Sequence, residues 1–252
     1  MFNQMADYYD KYRPGYPQEI ISSIVNKASL SSGSKLLEIG SGSGKATAQF
    51  VEYGFELHCI DPGQDLIRIG RERFKGKNVE FIVTRFEDYS PPLYYYDAII
   101  SAQAFHWLDQ PAGYKKCAST LKRNGYLAVF WNIGIIHDTE FDKELHKLME
   151  DHNAFTSDTT EENYNKRMVE ISGGISESGF FTKPEIIQSL WEKSYTVDEY
   201  YGYVSTGNVF VQNSEEVKRT FHVALKEFAA KHNGIIQRNY LCELYLAKKI
   251  SN

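Results

Sequence analysis

The 252-residue sequence predicts an α/β fold in which a mostly parallel sheet is covered by helices on both faces. Three observations lead to this prediction. Short apolar runs without polar alternation recur in the first half, as expected of strands buried on both faces. Segments with the apolar spacing of helices separate these runs. A glycine-rich turn joins the first run to the helix that follows it.

The first half of the chain supplies a helix, five strands and the helices between them. The apolar run KLLEIG ends at Gly40, and Gly54 is placed to end the following helix. Pro111 opens the last helix of this half, which we expect to run into a glycine turn at Gly125. In order, we predict helix 19–30, strand 35–40, helix 45–54, strand 55–61, helix 65–74, strand 78–86, strand 95–102, helix 111–125 and strand 126–132.

The alternation of strands and helices ends after Trp131. We predict a helix over 141–152, a polar connection over 151–165, and a strand followed by a short helix within 180–208. Ser214 is the expected N-cap of a helix over 214–234, although Val217 stands where a capping box has Glu. Residues 240–249 read as a final edge strand. The complete prediction is a doubly wound, Rossmann-like, seven-stranded sheet with a helical elaboration in the C-terminal half.

Composition excludes several classes of function. The net charge of −5 argues against a protein that binds nucleic acid by neutralising phosphates. No run of about 18 apolar residues is present, so no membrane span is expected. The three cysteines are far apart, which argues against disulfides and zinc and favours a reducing compartment, the cytoplasm. His137, His146 and His152 lack a ligand spacing, so no metal is predicted. The oligomeric state is left open.

The glycine-rich turn, LLEIGSGSGKAT, carries the strongest functional signal. Glycines at 40, 42 and 44 let the backbone turn tightly and approach a ligand closely. A phosphate-binding P-loop is excluded because Ile39 stands where its first glycine belongs and Ala46 follows Lys45. The dinucleotide fingerprint GxGxxG is also not met, because the third glycine comes one residue early. Asp61, at the end of the next strand, is suited to accept hydrogen bonds from ribose hydroxyls.

With Glu38 before the glycines, the turn resembles the E-x-G-x-G-x-G motif of class I S-adenosylmethionine-dependent methyltransferases. The stretch YDKYRPGYP (9–17) and the segment of Gln103, Ala104, His106 and Trp107 are similar to those of a small-molecule branch that includes trans-aconitate methyltransferase-like proteins. The resemblance covers residues 2–132. It implies a lid segment (1–30), a cofactor-binding core (31–132) and a substrate-side elaboration with the last strands (133–252).

The resemblance also implies roles for individual residues. S-adenosylmethionine is the expected cofactor, with S-adenosylhomocysteine as product. The residues implied to bind it are Glu38, Gly40, Ser41, Gly42, Gly44, Asp61, Pro62, Phe86, Glu87, Ser101, Gln103, Tyr12 and Arg13. The residues implied to line the acceptor pocket are Tyr8, Tyr16, Trp107, Tyr200 and Tyr201. Arg85 stands where the family often has a small or acidic residue, so side-chain recognition of adenine there departs from the pattern.

His106 is the predicted catalytic residue, as a base or as the partner of an acceptor carboxylate. Its alternative role is a histidine hydrogen-bonded to backbone at the end of a strand. The favoured reaction is O-methylation of a carboxylic acid, which is already anionic at pH 7 and needs positioning rather than a base. N- or C-methylation of a small metabolite, NAD-dependent oxidation and a non-catalytic cofactor-binding module stay open as alternatives.

Overall fold

The computed structural model describes residues 6–154 and 161–250, with backbone alone over 161–164. Within these residues seven strands form one sheet, in the order β3-β2-β1-β4-β5-β7-β6. The first five strands pair in parallel, whereas β7 is antiparallel to both of its neighbours. Helices lie on both faces. The arrangement confirms the predicted doubly wound, Rossmann-like sheet with its C-terminal helical elaboration.

Most predicted elements of the first half are present, with shifted ends. The helix after the glycine-rich turn continues into a 3-10 turn over Val51–Tyr53, which Gly54 ends. The backbone of Gly54 is in the left-handed conformation (φ 75°). The described elements are α1 (Ala6–Tyr12), α2 (Gln18–Lys27), β1 (Lys35–Ile39), α3 (Thr47–Phe50), β2 (Glu56–Asp61), α4 (Gln64–Arg73), β3 (Val79–Val83), β4 (Tyr96–Ala102), α5 (Gln110–Thr120) and β5 (Leu121–Ile135).

The predicted end of the helix over 111–125 is wrong. Helix α5 ends at Thr120, and Leu121 already has extended backbone (φ −72°, ψ 139°). The register explains the error: Tyr96 pairs with Leu121, but Ala98 pairs with Tyr126, so β5 contains a bulge between these two pairs. Residues that look like a helix end and a turn therefore belong to the strand.

The second half contains α6 (Glu140–Asp151), α7 (Glu161–Glu177), β6 (Glu185–Tyr195), α8 (Val197–Ser205), α9 (Glu215–Lys231) and β7 (Ile236–Lys248). The prediction of a polar connection over 151–165 is wrong at its end, because α7 begins at Glu161; residues 155–160 lie outside the described residues. The helix over 161–177 has weak apolar periodicity and two internal glycines, which hide it from pattern reading. Ser214 caps α9 by accepting a hydrogen bond from the Val217 N–H (3.3 Å).

The last strand is not at the edge of the sheet, contrary to the prediction. β7 pairs along its length with β5 on one side and with β6 on the other, so β6 is the edge strand. Strand β5 also extends to Ile135, past the boundary expected at residue 132. The substrate-side half and the core thus share one continuous sheet.

Three apolar clusters hold these layers together. One, around Phe50 and Phe130, lies between the sheet and α2, α3 and α4. A second, around Trp131 and Tyr245, lies on the opposite face under α5 and α7. The third, around Phe221, joins α6, α8 and α9. No helix in the described ranges is both long enough and apolar enough to span a bilayer.

Candidate functional site

A cavity of about 590 Å³ opens at the carboxyl ends of β1, β2 and β4. This is where open parallel sheets bind ligands, and the volume suits a cofactor-sized molecule. Of the residues predicted to bind the cofactor, it is lined by Glu38, Gly40, Ser41, Gly42, Asp61, Pro62, Phe86, Glu87 and Gln103. Of those predicted to bind the acceptor, it is lined by Tyr16 and Trp107.

The glycine turn brings the backbone to the wall of this cavity. Gly40 has φ 70°, and a Cβ there would lie 2.3 Å from the Cβ of Ala104. Gly44 has φ 86°, and its Cβ would lie 2.6 Å from the Phe74 ring. Both positions combine a left-handed backbone with close packing, so only glycine fits. Gly44 itself lies outside the lining and acts on the shape of the turn.

Asp61 ties the turn to the next strand. Its Oδ2 accepts a hydrogen bond from the Gly42 N–H (3.0 Å), and its Oδ1 accepts one from the Gly63 N–H (2.7 Å). Burial raises the pKa of the Asp61 carboxyl, while these two backbone hydrogen bonds oppose the rise. The carboxylate keeps acceptor capacity for hydroxyl groups of a ligand in the cavity.

Glu38 is the most deeply buried acid in the lining, with 1% of its surface exposed. Its Oε2 accepts a hydrogen bond from the Thr47 hydroxyl (2.5 Å). Burial raises the pKa of Glu38 to about 7, and the nearby charge of Asp61 adds to the rise. A carboxyl in this state ionises readily when a cationic group arrives beside it.

The donor and acceptor atoms of the lining fit an adenosine-type cofactor with a polar tail. Among the described residues, no partner reaches the buried hydroxyl of Ser41, which lies in the lining. Phe86 and Leu66 supply apolar surface beside Asp61. The loop that carries Phe86 is held by Lys116, whose ammonium donates to the carbonyls of Phe86 (2.6 Å) and Glu87 (2.7 Å). A nucleoside requires an apolar slot for its base next to a carboxylate that can accept hydrogen bonds from its ribose hydroxyls.

The N-terminal segment covers the cavity with Tyr9 and Tyr16. It is fastened by ion pairing of Asp10 with Arg73, by Asn132 Nδ2 donating to the Gly15 carbonyl (2.7 Å), and by a bond from Gln49 to the Tyr16 carbonyl. These ties hold the segment against both α4 and the sheet.

Arg13 and Tyr12 stand outside the lining. The Arg13 guanidinium donates to the hydroxyl (2.7 Å) and carbonyl (3.1 Å) of Thr206, and it lies between the rings of Tyr9 and Tyr203. The Tyr12 ring belongs to the contact between α1 and α8. Both residues therefore join the N-terminal segment to the elaboration instead of facing the cavity.

Four further predicted residues are placed in packing or on the surface. Ser101 is buried, and its hydroxyl donates to the Ile39 carbonyl (2.9 Å), which ties β4 to β1. Tyr200 is buried in the elaboration, with its hydroxyl on Met149 Sδ (3.1 Å). Tyr201 stacks on His222, and Tyr8 is exposed. None of the four lines the cavity.

His106 lies on a 3-10 turn after β4, next to the lining residue Trp107. Its Nδ1 accepts a hydrogen bond from the Trp131 Nε1–H (3.3 Å). Burial lowers the pKa of His106, and the nearby Arg167 guanidinium lowers it further. Gln103, three residues earlier, has φ 60° and donates from Nε2 to the Asn132 carbonyl (3.0 Å). This left-handed residue turns the chain at the rim of the cavity.

Sequence reasoning missed several lining residues, among them Tyr9, Lys45, Leu66 and Thr84. Leu66 is the first apolar residue of α4 after Asp61, and that position is a usable signal for an apolar wall. Lys45 follows the last glycine of the turn, and burial lowers its pKa. Tyr9 is the first residue of the stretch YDKYRPGYP, and that position is its only signal in the sequence.

Comparison with known proteins agrees with this geometry. Residues 36–125 match the sequence profile of a family described as a methyltransferase domain. An uncharacterized methyltransferase of Mycobacterium tuberculosis is 30% identical over 135 residues, which cover 52% of this chain and 51% of that protein. A probable S-adenosylmethionine-dependent methyltransferase of Saccharomyces cerevisiae is 33% identical over 136 residues, covering 51% and 45%. The chain spans about half the length of the curated relatives it matches.

Solved structures share the fold across nearly the whole chain. A protein of Anaeromyxobacter dehalogenans, provisionally classed as a type II methyltransferase, superposes with a TM-score of 0.70 at 20% identity, covering 96% of this chain and 100% of that one. Phosphoethanolamine N-methyltransferase 2 of Haemonchus contortus, solved with phosphomonomethylethanolamine and S-adenosylhomocysteine, gives 0.57 at 14% identity, covering 98% and 57%. The chain thus matches a methyltransferase-domain profile over residues 36–125 and shares its fold with solved methyltransferase structures.

Proposed function

We propose that this protein is an S-adenosylmethionine-dependent methyltransferase acting on a small-molecule acceptor. The observation that carries the proposal is the Asp61 carboxylate, which holds the glycine turn and faces the same cavity at the ends of β1 and β2. The methyltransferase-domain match over residues 36–125 supports it. So does the shared fold, since one neighbour with that fold was solved with S-adenosylhomocysteine.

Five side chains have the main part in holding the cofactor. Asp61 accepts hydrogen bonds from the ribose hydroxyls, and Glu38 faces the cationic amino group. The unpartnered Ser41 hydroxyl takes a polar group of the methionine part. Phe86 and Pro62 enclose the adenine. Gly40, Gly42, Glu87 and Gln103 complete the lining, whereas Gly44, Ser101, Tyr12 and Arg13 act through the fold that surrounds it.

When bound, the cofactor supplies a sulfonium methyl: the carbon–sulfur bond breaks with its electron pair left on sulfur, while an acceptor lone pair forms the new bond. The chain's part is alignment and exclusion of water, because in-line displacement depends on positioning. Tyr9 and Tyr16 cover one side of the cavity, and Trp107 stands at its acceptor end. Tyr8, Tyr200 and Tyr201 have no direct part in our proposal.

The acceptor is a carboxylic acid methylated on oxygen, as in the trans-aconitate methyltransferase-like branch that the motifs resemble. Such an acceptor is already anionic at pH 7, so His106 orients it by hydrogen bonding. N- or C-methylation is the second candidate, because the phosphoethanolamine N-methyltransferase of Haemonchus contortus shares the fold.

In our proposal, successive segments of the chain have different roles. Residues 1–30 form the lid, 31–132 the cofactor core, and 133–252 the acceptor side with the last strands. We place the protein in the cytoplasm, since Cys59, Cys117 and Cys242 are all buried and free, which suits a reducing compartment.

Calorimetry tests the cofactor. We expect S-adenosylmethionine and S-adenosylhomocysteine to bind and NAD not to bind. The Asp61→Ala variant should bind at least tenfold more weakly, whereas Asp198→Ala, which removes an exposed carboxylate on α8, should bind as the wild type does. Undiminished binding in Asp61→Ala, or binding of NAD alone, would refute the proposal. Transfer of radiolabelled methyl to panels of acids, amines and alcohols then identifies the acceptor; a non-catalytic module would bind the cofactor and label none of them.

A further inference from the structure

A second cavity of about 590 Å³ lies at the opposite edge of the sheet from the proposed cofactor cavity. It opens at the amino ends of β4 and β5, beside the end of β7. Strand β4 has seven residues and a strand rises by about 3.3 Å per residue, so about 20 Å of sheet separates the two cavities. A molecule in this second cavity, which we call the basal cavity, can therefore be bound at the same time as the cofactor.

The basal cavity is lined by cations, although the chain as a whole has a net charge of −5. Among the described residues that line it there is no acid, and four of them are basic: Lys115, Lys122, Arg123 and Lys249. Asp97, which stands outside the lining, accepts hydrogen bonds from the Lys122 ammonium on both carboxylate oxygens (2.8 Å each). Even with Lys122 paired in this way, the lining favours an anionic ligand.

The C-terminal end of α5, which could repel an anion, meets hydrogen-bond donors at this cavity. The last carbonyls of a helix carry a partial negative charge. Here the Ser119 carbonyl accepts a hydrogen bond from the Tyr94 N–H (3.1 Å), and the Leu121 carbonyl accepts one from the Lys249 ammonium (2.8 Å). The helix end is thus partly neutralised at the place where the cations line the cavity.

Tyr94 displays an aromatic ring at the basal cavity at a conformational cost. Its backbone has φ 54°, in the left-handed region that bulky residues rarely adopt. The residue is 65% exposed, so burial of its ring does not offset that cost. The Lys249 ammonium lies 4.5 Å from the ring centroid. A strained residue that holds an exposed ring beside a cation indicates a contact with a ligand.

Apolar surface lies next to these charges and comes from Tyr94, Phe180 and Ile250. We propose that the basal cavity binds a small organic anion that combines a planar ring with a phosphate, sulfate or carboxylate group. The ring packs on the apolar side chains, and the anionic group accepts charge-assisted hydrogen bonds from the lysine ammonium groups. The size of the cavity suits such a ligand. This site is additional to the cofactor cavity and does not rest on the proposed methyl transfer.

Calorimetry with 1-naphthyl phosphate tests the proposal on the wild-type protein, with inorganic phosphate and 1-naphthol as matched probes. A probe without adenine is needed, because an adenine nucleotide would also suit the proposed cofactor cavity. We expect 1-naphthyl phosphate to bind about tenfold more tightly than either matched probe, since only it has both the ring and the charge. Its affinity should fall as salt is added and stay the same when S-adenosylhomocysteine is present at saturation.

Two variants and two controls assign the binding to the basal cavity. Tyr94→Asn and Lys115→Gln should each bind 1-naphthyl phosphate about fivefold more weakly. Neither should lower the melting temperature, because asparagine adopts the left-handed region readily and Lys115 is exposed. Leu93→Asn and Lys147→Gln remove an exposed apolar side chain and an exposed cation that do not line the cavity, so both should bind as the wild type does.

The results that would overturn this proposal are distinct from those that bear on the methyltransferase function. Competition between 1-naphthyl phosphate and S-adenosylhomocysteine would place the probe in the cofactor cavity. Binding no tighter than that of inorganic phosphate, or equal binding by Tyr94→Asn and the wild type, would also contradict the proposal. Sedimentation with phosphatidylserine vesicles, without binding of 1-naphthyl phosphate, would make this a membrane-docking surface instead. If S-adenosylhomocysteine fails to bind, the methyltransferase proposal falls, while the comparison of variants without it still decides this one.

Discussion

Replacing Glu38 by glutamine should remove a pH-dependent loss of stability from the ligand-free protein. Glu38 is 1% exposed, and its pKa rises from 4.5 to about 7 because burial disfavours the carboxylate. The folded protein therefore binds more protons than the unfolded chain between these two values. Its free energy of unfolding falls as the pH rises through that range, and the loss is complete above pH 7.

The size of the effect follows from the shift. A difference of 2.5 pH units corresponds to about 3 kcal/mol, of which about 2 kcal/mol falls between pH 5 and pH 7. Glutamine is neutral throughout, so the Glu38→Gln variant lacks this contribution. The difference in unfolding free energy, variant minus wild type, should increase by about 2 kcal/mol from pH 5 to pH 7.

Urea denaturation at four or five pH values between 5 and 8 measures this difference, and the titration of all other groups cancels in it. Glu52→Gln, at a side chain that is 71% exposed, is the control, and the change with pH in Glu38→Gln should clearly exceed the change in Glu52→Gln. A flat difference for Glu38→Gln would refute the reasoning, because it would mean that the buried carboxyl keeps an ordinary pKa.

Three further predictions follow from the same geometry. S-adenosylhomocysteine, whose amino group would favour ionised Glu38, should bind about tenfold more tightly at pH 8 than at pH 6 in calorimetry, since an acid of pKa about 7 must lose its proton. Gly40→Ala should weaken that binding by at least tenfold, because its Cβ would collide with Ala104 at 2.3 Å. Gly202→Ala should lower the free energy of unfolding by about 1–3 kcal/mol, since its Cβ would lie 2.4 Å from the Tyr12 ring; urea denaturation measures this change.

Two matched variants make these tests specific. In Glu38→Gln the affinity for S-adenosylhomocysteine should not change between pH 6 and pH 8; an equal dependence in both proteins would assign it to another group. Gly15→Ala introduces a Cβ with nothing within 4 Å, so it should behave as the wild type in calorimetry and denaturation. Normal binding by Gly40→Ala, or normal stability of Gly202→Ala, would show that the neighbouring side chain moves aside without cost.

The parallel core could be predicted from the sequence because its signals are local. Its strands are short, mostly apolar runs, and Asp61 and the glycines stand at fixed distances from strand ends. The order of the last strands has no local signal, since β7 occupies the position between β5 and β6 through pairing with residues more than 40 positions away. An interpretation that follows the order of the chain therefore placed β7, the last strand, at the edge of the sheet.

The position of Arg13 could not be predicted for the same reason. Its partner Thr206 is 193 residues further along the chain, and nothing near Arg13 distinguishes a tie to another helix from a ligand contact. Helix α7 was missed for a different reason, because its glycines and polar residues hide its apolar periodicity. Side chains fixed by short-range spacing were identified, while those fixed by tertiary contacts were not.

Strand β7 joins β5 to β6 although it follows both along the chain. While the polypeptide is being synthesised, β5 has its pairing edge open over the ten residues that later meet β7, and β6 has no neighbour at all. Unpaired edges of this length promote strand pairing between molecules. The two edges are covered only when residues 236–248 are available to insert between them.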